Sequence, residues 1–371
     1  MNEKGLKDFG AHIQKLINKN NLSEEETYLM FREILKNEQP DLQQGAFLAA
    51  LVSKRETIEE IAGAWKAIVE FDTVEITEDM PKPLFENSGT GMDSLKTFNV
   101  SSAAAIVAAS CGVNMARHGA RALTSFCGTV DILESVGIDV ECDVSLVEKS
   151  ICETGIGLFN GMSPKIHPSA LGRILSQIRF GSTLNIAASL ANPAKPTHGL
   201  RGVYSKEMVT KTASVMPHVG YSRGMIVHGE DKDLSGGMDE ISITGKTTIH
   251  EFNGRHSKIW DINPEDVGLQ KANFTDIATT GNLDQESVRF IKVIAGKEHK
   301  ACIDFTAINA GAIIYIAGKA PDIASGINMS KNAIADGSSI NKLKSWIEVQ
   351  NTDPQSGLNK FEAKLEEANI K

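Results

Sequence analysis

Two stretches of the chain carry residue types that do chemistry. Gly89-Thr90-Gly91-Met92-Asp93 is a glycine-flanked turn, and Asn99, Ser101 and Ser102 follow at the start of a small-residue helix. Glycines let backbone N–H groups approach an anion closely and admit positive φ. A helix start adds free N–H groups and the positive end of its dipole. Arg117-His118-Gly119 ends the next apolar run, and Thr124, Ser125 and Thr129 lie in a second loop of small and hydroxyl residues. Two such loops in succession, with a cation between them, suit a diphosphate. Ordinary N-capping by Asn99, Ser101 or Thr129 accounts for the same residues taken singly. Further on, Asp239-Glu240 follows Gly236-Gly237-Met238. Adjacent carboxylates after a flexible pair suit Mg²⁺, a hard ion that prefers oxygen and bridges to phosphates, although a solvated acidic loop reads the same way. His228-Gly229 reads as a strand end, and His167-Pro168 and Asn192-Pro193-Ala194-Lys195-Pro196 as turns.

The elements that must position these residues follow from the pattern. Residues 7–71 read as helices: Phe9, Ile13, Leu16 and Ile17 share a face, Ser23 and Thr57 stand at N-cap positions, and no Val/Ile alternation intervenes. Glu75–Asp79, Pro81 and Pro83 read as a linker. Beyond it, β-branched runs at Gly224–Val227, Ile241–Ile243 and Lys300–Asp304 are read as strands interleaved with helices. Asn309–Ala317 reads as a small-residue helix and Ile323–Ile347 as a pair of surface helices. The expected architecture is α/β: a small N-terminal helical domain over residues 1–78, completed by a helical segment near 180–205, and a large α/β domain over 79–371 with a mixed, mainly parallel central sheet and flanking helices.

Composition narrows the partners. A length of 371 residues accommodates two domains. No run reaches the ~18–20 apolar residues of a membrane span, and MNEKGLKDFG has no apolar h-region, so neither membrane nor secretory signal is expected. A formal charge of −9 argues against a nucleic-acid surface. Five cysteines without C-x-x-C spacing fit a reduced, cytoplasmic protein and neither a zinc site nor a disulfide framework.

Taken in order, GTGMD, KTFNVSSAAA, RHGARALTS, GTVDILESVG, PKIHPSA, NPAKP, LRGVYSKE, VHGED, MDEISITG and NAGAIIYIAGKA resemble the anthranilate phosphoribosyltransferase family over nearly the whole chain. The resemblance implies phosphoribosyl transfer from phosphoribosyl pyrophosphate to an aromatic amine, with Mg²⁺, by a homodimer joined through the helical domain. Carried over by position, Gly89, Thr90, Gly91, Asp93, Asn99, Ser101, Ser102 and Arg117 (Lys in the family) would hold the diphosphate and ribose phosphate. His118 and Gly119 belong to the same pocket. Thr124, Ser125 and Thr129 match the second hydroxyl loop, and Asp239 and Glu240 the metal pair.

Departures from the family pattern fall on working parts. Met92 stands at the fourth position of G-T-G-G-D, Ala120 replaces the asparagine of K-H-G-N, and Ala122 replaces a serine. The arginine segment after His167 is shortened to ALGRILSQIRFGST, leaving Arg173 and Arg179 as candidates for an acceptor carboxylate. These departures are expected to alter the acceptor. The alternatives are the tryptophan-pathway enzyme itself and a binding or sensor protein on the same fold. A pyrimidine-nucleoside-phosphorylase-like activity is a further alternative, suggested by Gly128–Ser135 but lacking that family's additional domain.

Overall fold

The structure, a computed structural model, describes residues 3–121, 127–178 and 180–370. The chain forms two compact units: one of Met1–Glu75, Gly161–Lys195 and Ser214–Val219, the other of Ile76–Asn160, Pro196–Ala213 and Gly220–Lys371. None of the described helices is long and apolar enough to cross a membrane.

The first unit is helical. Helices Glu3–Ile17, Glu24–Leu35, Asp41–Lys54 and Ile58–Phe71 are joined by Leu171–Ile178 and Thr183–Leu190. Ser23 with Glu26, and Thr57 with Glu60, form reciprocal capping boxes, which satisfy N–H groups that a helix start leaves open. Their core is aromatic: the Phe47 ring lies 5.7 Å from Phe9 and 5.5 Å, edge-on, from Phe31. Glu60 is buried yet fully engaged, accepting from Leu22 N–H, Thr57 N–H and Lys54 Nζ at 2.8–2.9 Å. Burial of a charge without such partners costs several kcal/mol, at about the scale of an unpaired buried ion.

The second unit is built on an eight-stranded sheet: β1 (Leu84–Ser88), β2 (Asn114–Gly119), β3 (Ile156–Asn160), β4 (His198–Gly202), β5 (Arg223–Glu230), β6 (Gly237–Met238), β7 (Thr247–Asn253) and β8 (His256–Ile262). The order is β3-β2-β1-β4-β5-β7-β8, with β6 paired to β5. The first five in that order run parallel, and β6, β7 and β8 are antiparallel additions. Parallel neighbours are joined by helical crossovers: Val100–Ser110 carries the chain from β1 to β2, and Lys300–Ile316, which follows the last strand, is the other deeply buried helix of this unit.

Three expectations are corrected. Lys300–Asp304 is no strand: it opens the helix Lys300–Ile316, because Ala301, Phe305 and the small residues after Ala307 continue one buried helical run. Ile241–Ile243 is a buried loop segment, held where Asn309 Oδ1 accepts the Ile241 N–H at 3.0 Å. The helices within Ile323–Ile347, Ile323–Ala335 and Ser338–Val349, are not purely superficial, since Ile327, Ile334, Leu343 and Trp346 lie in the core. Local β-branched content pointed to strands in the first two cases, and tertiary packing overrode it.

Candidate active site

The parallel strands deliver their C-terminal ends to one edge of the sheet, where open α/β sheets place ligands. β1 runs directly into Gly89-Thr90-Gly91, and Gly91 turns the chain at φ +67°. The turn closes on the segment after β6. Asp239 Oδ2 accepts the Gly91 N–H at 2.6 Å and the Thr90 hydroxyl at 3.1 Å. A Cβ at Gly89 would stand 2.5 Å from that same carboxylate, so the close approach requires glycine. Ser94 and Leu95 donate their N–H groups to Gly237 O at 3.2 and 3.1 Å, and Gly237 N–H returns a bond to Ser94 Oγ. Two segments far apart in the chain are thereby pinned into one structure.

Asp93, Asp239 and Glu240 offer carboxylate oxygens that all lie within 4.8 Å of one another. Crowded, desolvated carboxylates resist ionisation. Burial, and secondarily the Asp239 charge, push the Asp93 carboxyl up to about 6 against the opposing bond from Lys96. Glu240 is held well above the ordinary carboxylate range by burial and then by Asp239 and Asp93. Its Oε2 is buried with no hydrogen-bond donor. An all-oxygen set with one unanswered buried oxygen is a donor set for a hard divalent ion such as Mg²⁺. Lys96 Nζ is the cation at the cluster, 2.7 Å from Asp93 Oδ1 and 2.8 Å from Gly91 O.

Asn99 caps the helix Val100–Ser110, its Oδ1 accepting the Ser102 N–H at 3.3 Å. Ser101 O accepts from Asn87 Nδ2 at 2.8 Å. Arg117, which the sequence suggests as a cation able to neutralise a diphosphate, is only 2% exposed. Its Nη1 donates to Ser102 Oγ at 2.5 Å and its Nη2 reaches Asn87 O at 3.4 Å. Burial lowers its guanidinium to about 10, with the Glu86 charge working the other way. Glu86 in turn accepts a short hydrogen bond from the Tyr221 hydroxyl, whose own ionisation burial and Glu86 push well above the usual range. Arg117 is thus a strut beneath the turn, tying β1 and β2 to the helix start.

His118 is buried on β2, and Gly119 ends that strand against Thr129, whose Cγ2 lies 2.8 Å from where a Cβ would sit. Thr129 is the first helical residue and not the cap. Gly128 caps Thr129–Ser135, and the Asp131 carboxylate accepts its N–H at 2.9 Å. Met92 in the turn is 54% exposed. Thr124, Ser125 and Ala122 in the second loop, and Arg179, lie outside the described residues. In the helical unit, Arg173 is engaged internally: Nη1 donates to Gln44 Oε1 at 3.2 Å and Nη2 to Ile34 O at 2.9 Å.

Sequence reasoning missed Lys96, Ser94 and the Glu86–Tyr221 pair. The signal for Lys96 was present, a cation three residues after Asp93. The Glu86–Tyr221 contact spans 135 residues and leaves no local trace. A groove of about 680 Å³ lined by Thr279, Asp284, Arg289, Lys292 and Glu298 contains none of the residues singled out above.

Comparison with known proteins agrees with this geometry. Residues 82–340 match the α/β domain of a glycosyl transferase family, and residues 11–71 match that family's helical bundle domain. The anthranilate phosphoribosyltransferase of Methanocorpusculum labreanum is 34% identical over 335 residues, 90% of this chain and 96% of the relative. That of Methanothermobacter thermautotrophicus is 30% identical over 345 residues, 91% of this chain and 97% of its own length. Among solved structures, the Thermus thermophilus anthranilate phosphoribosyltransferase superposes with a TM-score of 0.81 at 29% identity, over 91% of this chain and 98% of that one. The Saccharomyces cerevisiae enzyme in complex with PRPP and Mg superposes at 0.80 with 25% identity, over 94% and 98%. With both domains matched and relatives aligned over nearly their full length, the chain belongs to the anthranilate phosphoribosyltransferase family of the glycosyl transferases and is a phosphoribosyltransferase.

Proposed function

We propose that this protein transfers the phosphoribosyl group of phosphoribosyl pyrophosphate to an aromatic or heterocyclic amine, with Mg²⁺, and that its acceptor differs from anthranilate. The observation that carries the donor half is the closure of the Gly89–Asp93 turn on Asp239 beside Glu240. It brings the glycine turn and a divalent-ion donor set into one place, where a diphosphate leaving group and its ion would meet.

In the reaction the acceptor nitrogen forms a bond to ribose C1 as the C1–O bond to diphosphate breaks, and the amine gives up a proton. Asp93, Asp239 and Glu240 would hold the ion, and an ion there supplies neutralisation of the diphosphate charge. Gly89, Thr90 and Gly91 orient the diphosphate, while Asn99, Ser101 and Ser102 place a helix N-terminus toward phosphate. Arg117 keeps that helix start in register with β1. His118, Gly119, Thr124, Ser125 and Thr129 complete the donor pocket in this reading. Positioning of the two reactants supplies much of the remaining acceleration.

The acceptor half rests on how little the chain offers a carboxylate. Arg173 is engaged with Gln44 and Ile34 within its own unit, and Ala120 offers no amide. A bidentate arginine–carboxylate pairing is worth about 1.5–3 kcal/mol to an acceptor that makes it. Arg179 is the remaining candidate from the sequence. Pyrophosphate release in the presence of phosphoribosyl pyrophosphate, Mg²⁺ and a panel of aromatic amines tests this. Turnover is expected with a non-carboxylate amine and at least about tenfold lower kcat/KM with anthranilate. Efficient anthranilate turnover, abolished by Arg179→Ala, assigns the protein to tryptophan biosynthesis instead. Binding of the donor without turnover of any amine favours a sensor. Association of two copies through the helical unit is part of the same proposal, supported by Leu42 and Ile17, 89% and 56% exposed on its surface. Five cysteines without C-x-x-C spacing suit a reducing, cytoplasmic setting in this reading.

A further inference from the structure

We propose that Lys96 is a cation tethered to the carboxylate cluster, which sets how tightly that cluster takes a divalent ion and keeps the ion from becoming a permanent resident. This role rests on the reading of Asp93, Asp239 and Glu240 as the metal centre.

The backbone at Lys96 is fixed independently of its side chain. Thr279 donates its N–H to Lys96 O at 3.1 Å, Phe98 donates to Ile277 O at 3.0 Å, and Thr97 forms an isolated antiparallel bridge to Ala278. From this support the side chain reaches back over the turn to Gly91 O and Asp93 Oδ1. The pair is unlike an ordinary surface ion pair, which contributes little: the Lys96 side chain is 26% exposed and that of Asp93 only 6%.

Charge balance decides the consequence. Asp93, Asp239 and Glu240 would carry three negative charges with a metal bound, and Lys96 cancels one. A divalent ion then brings the site to neutrality. Without Lys96 the same ion meets an uncompensated third charge, in surroundings where charges interact more strongly than in water. Lys96 also competes for the Asp93 carboxylate, which the ion would use. The ion is therefore held weakly until a diphosphate adds its own charge, so that ion and donor arrive together. Lys96 acts here as a positioning residue, through Asp93.

The test is Mn²⁺ binding to the full chain without substrate, by titration calorimetry and by the electron paramagnetic resonance signal of free Mn²⁺. Lys96→Gln is expected to bind Mn²⁺ at least about fivefold more tightly than the unaltered protein, with the difference shrinking at high salt. Lys96→Arg, which keeps the charge, is expected to stay within about twofold. Inorganic pyrophosphate is expected to tighten Mn²⁺ binding more in the unaltered protein than in Lys96→Gln. A merely structural role for Lys96 predicts the opposite sign, because loosening the turn would weaken binding. Unchanged or weaker binding by a natively folded Lys96→Gln overturns the inference, as does equal tightening by Lys96→Arg. Binding abolished by Asp239→Asn but unmoved by Lys96→Gln overturns this inference alone. No Mn²⁺ binding by any form, with or without pyrophosphate, overturns the metal reading and this inference with it.

Discussion

At the residue scale, the site depends on distances that single atoms control. Gly89 packs its Cα against the Asp239 carboxylate, which is already held by Thr90 and Gly91. Gly89→Ala puts a methyl group where a carboxylate oxygen stands and must push Asp239 off the turn. The clash is confined to a loop and one side chain, so the fold survives. Circular dichroism is expected to stay native while kcat/KM for pyrophosphate release falls by roughly 10²-fold, the cost of a misplacement on the order of an ångström. Retention of full activity would show that the turn does not need this approach. Met92 belongs to the same scale. It occupies a position where the family pattern has glycine, and its side chain is half exposed while the Gly91 N–H beside it stays bonded to Asp239.

At the element scale, the helical unit contains a cap that sequence inspection does not reveal. The helix Leu171–Ile178 starts with no side-chain cap of its own in sequence. The Asp72 carboxylate instead accepts N–H bonds from Ser169, Ala170 and Leu171 at 2.5–3.0 Å. A buried carboxylate answering a run of helix N–H groups exploits both the orphan donors and the dipole. Asp72→Ala leaves those donors unpaired in a buried place and is expected to cost about 2–4 kcal/mol, read from the urea midpoint. Asp72→Asn, which keeps an acceptor oxygen, is expected to lose about half of that. The Arg117 strut in the second unit likewise joins several elements, through Nη1 on Ser102 and Nη2 on Asn87, although its buried Nε has no partner. The strand assignments at Ile241–Ile243 and Lys300–Asp304 failed at this scale, because β-branched content says how a segment packs and not whether a strand partner exists beside it.

At the scale of the whole molecule, histidines that are buried or half-buried give the stability a definite pH dependence. Burial lowers His167, and also His198 and His250, below the usual 6.5. A histidine whose folded pKa is depressed binds its proton more readily when unfolded, so stability is full above about pH 6.5 and is lost as pH falls below it. His167 is the most buried of these, its Nδ1 bonded to Asp72 O at 2.6 Å. The unfolding midpoint is expected to drop between pH 7 and pH 5, and the drop to be shallower in His167→Gln. An equal slope in the variant would remove His167 from the account. The metal-free carboxylate cluster acts in the opposite sense. Asp93, raised to about 6, is relieved as pH falls from there toward its unfolded value near 4, so the histidine effect is best measured with divalent ion present.

The amino-acid sequence alone determined the class of chemistry and the order of the parts. Glycines and hydroxyls at Gly89–Asp93 and Asn99–Ser102, and the Asp239-Glu240 pair, advertise anion and metal binding because those properties belong to residue types and short spacings. The capped, amphipathic helices before residue 72 and the α/β alternation after it were legible for the same reason. Only the tertiary structure decided which of these groups meet. The bond from Gly91 N–H to Asp239 spans 148 residues, and that from Tyr221 to Glu86 spans 135. Tertiary structure made Arg117 a buried strut, engaged Arg173 within the helical unit, and brought Lys96 onto Asp93. Those outcomes depend on strand order and on which polar groups lose access to water. Neither is a property of any short window of residues.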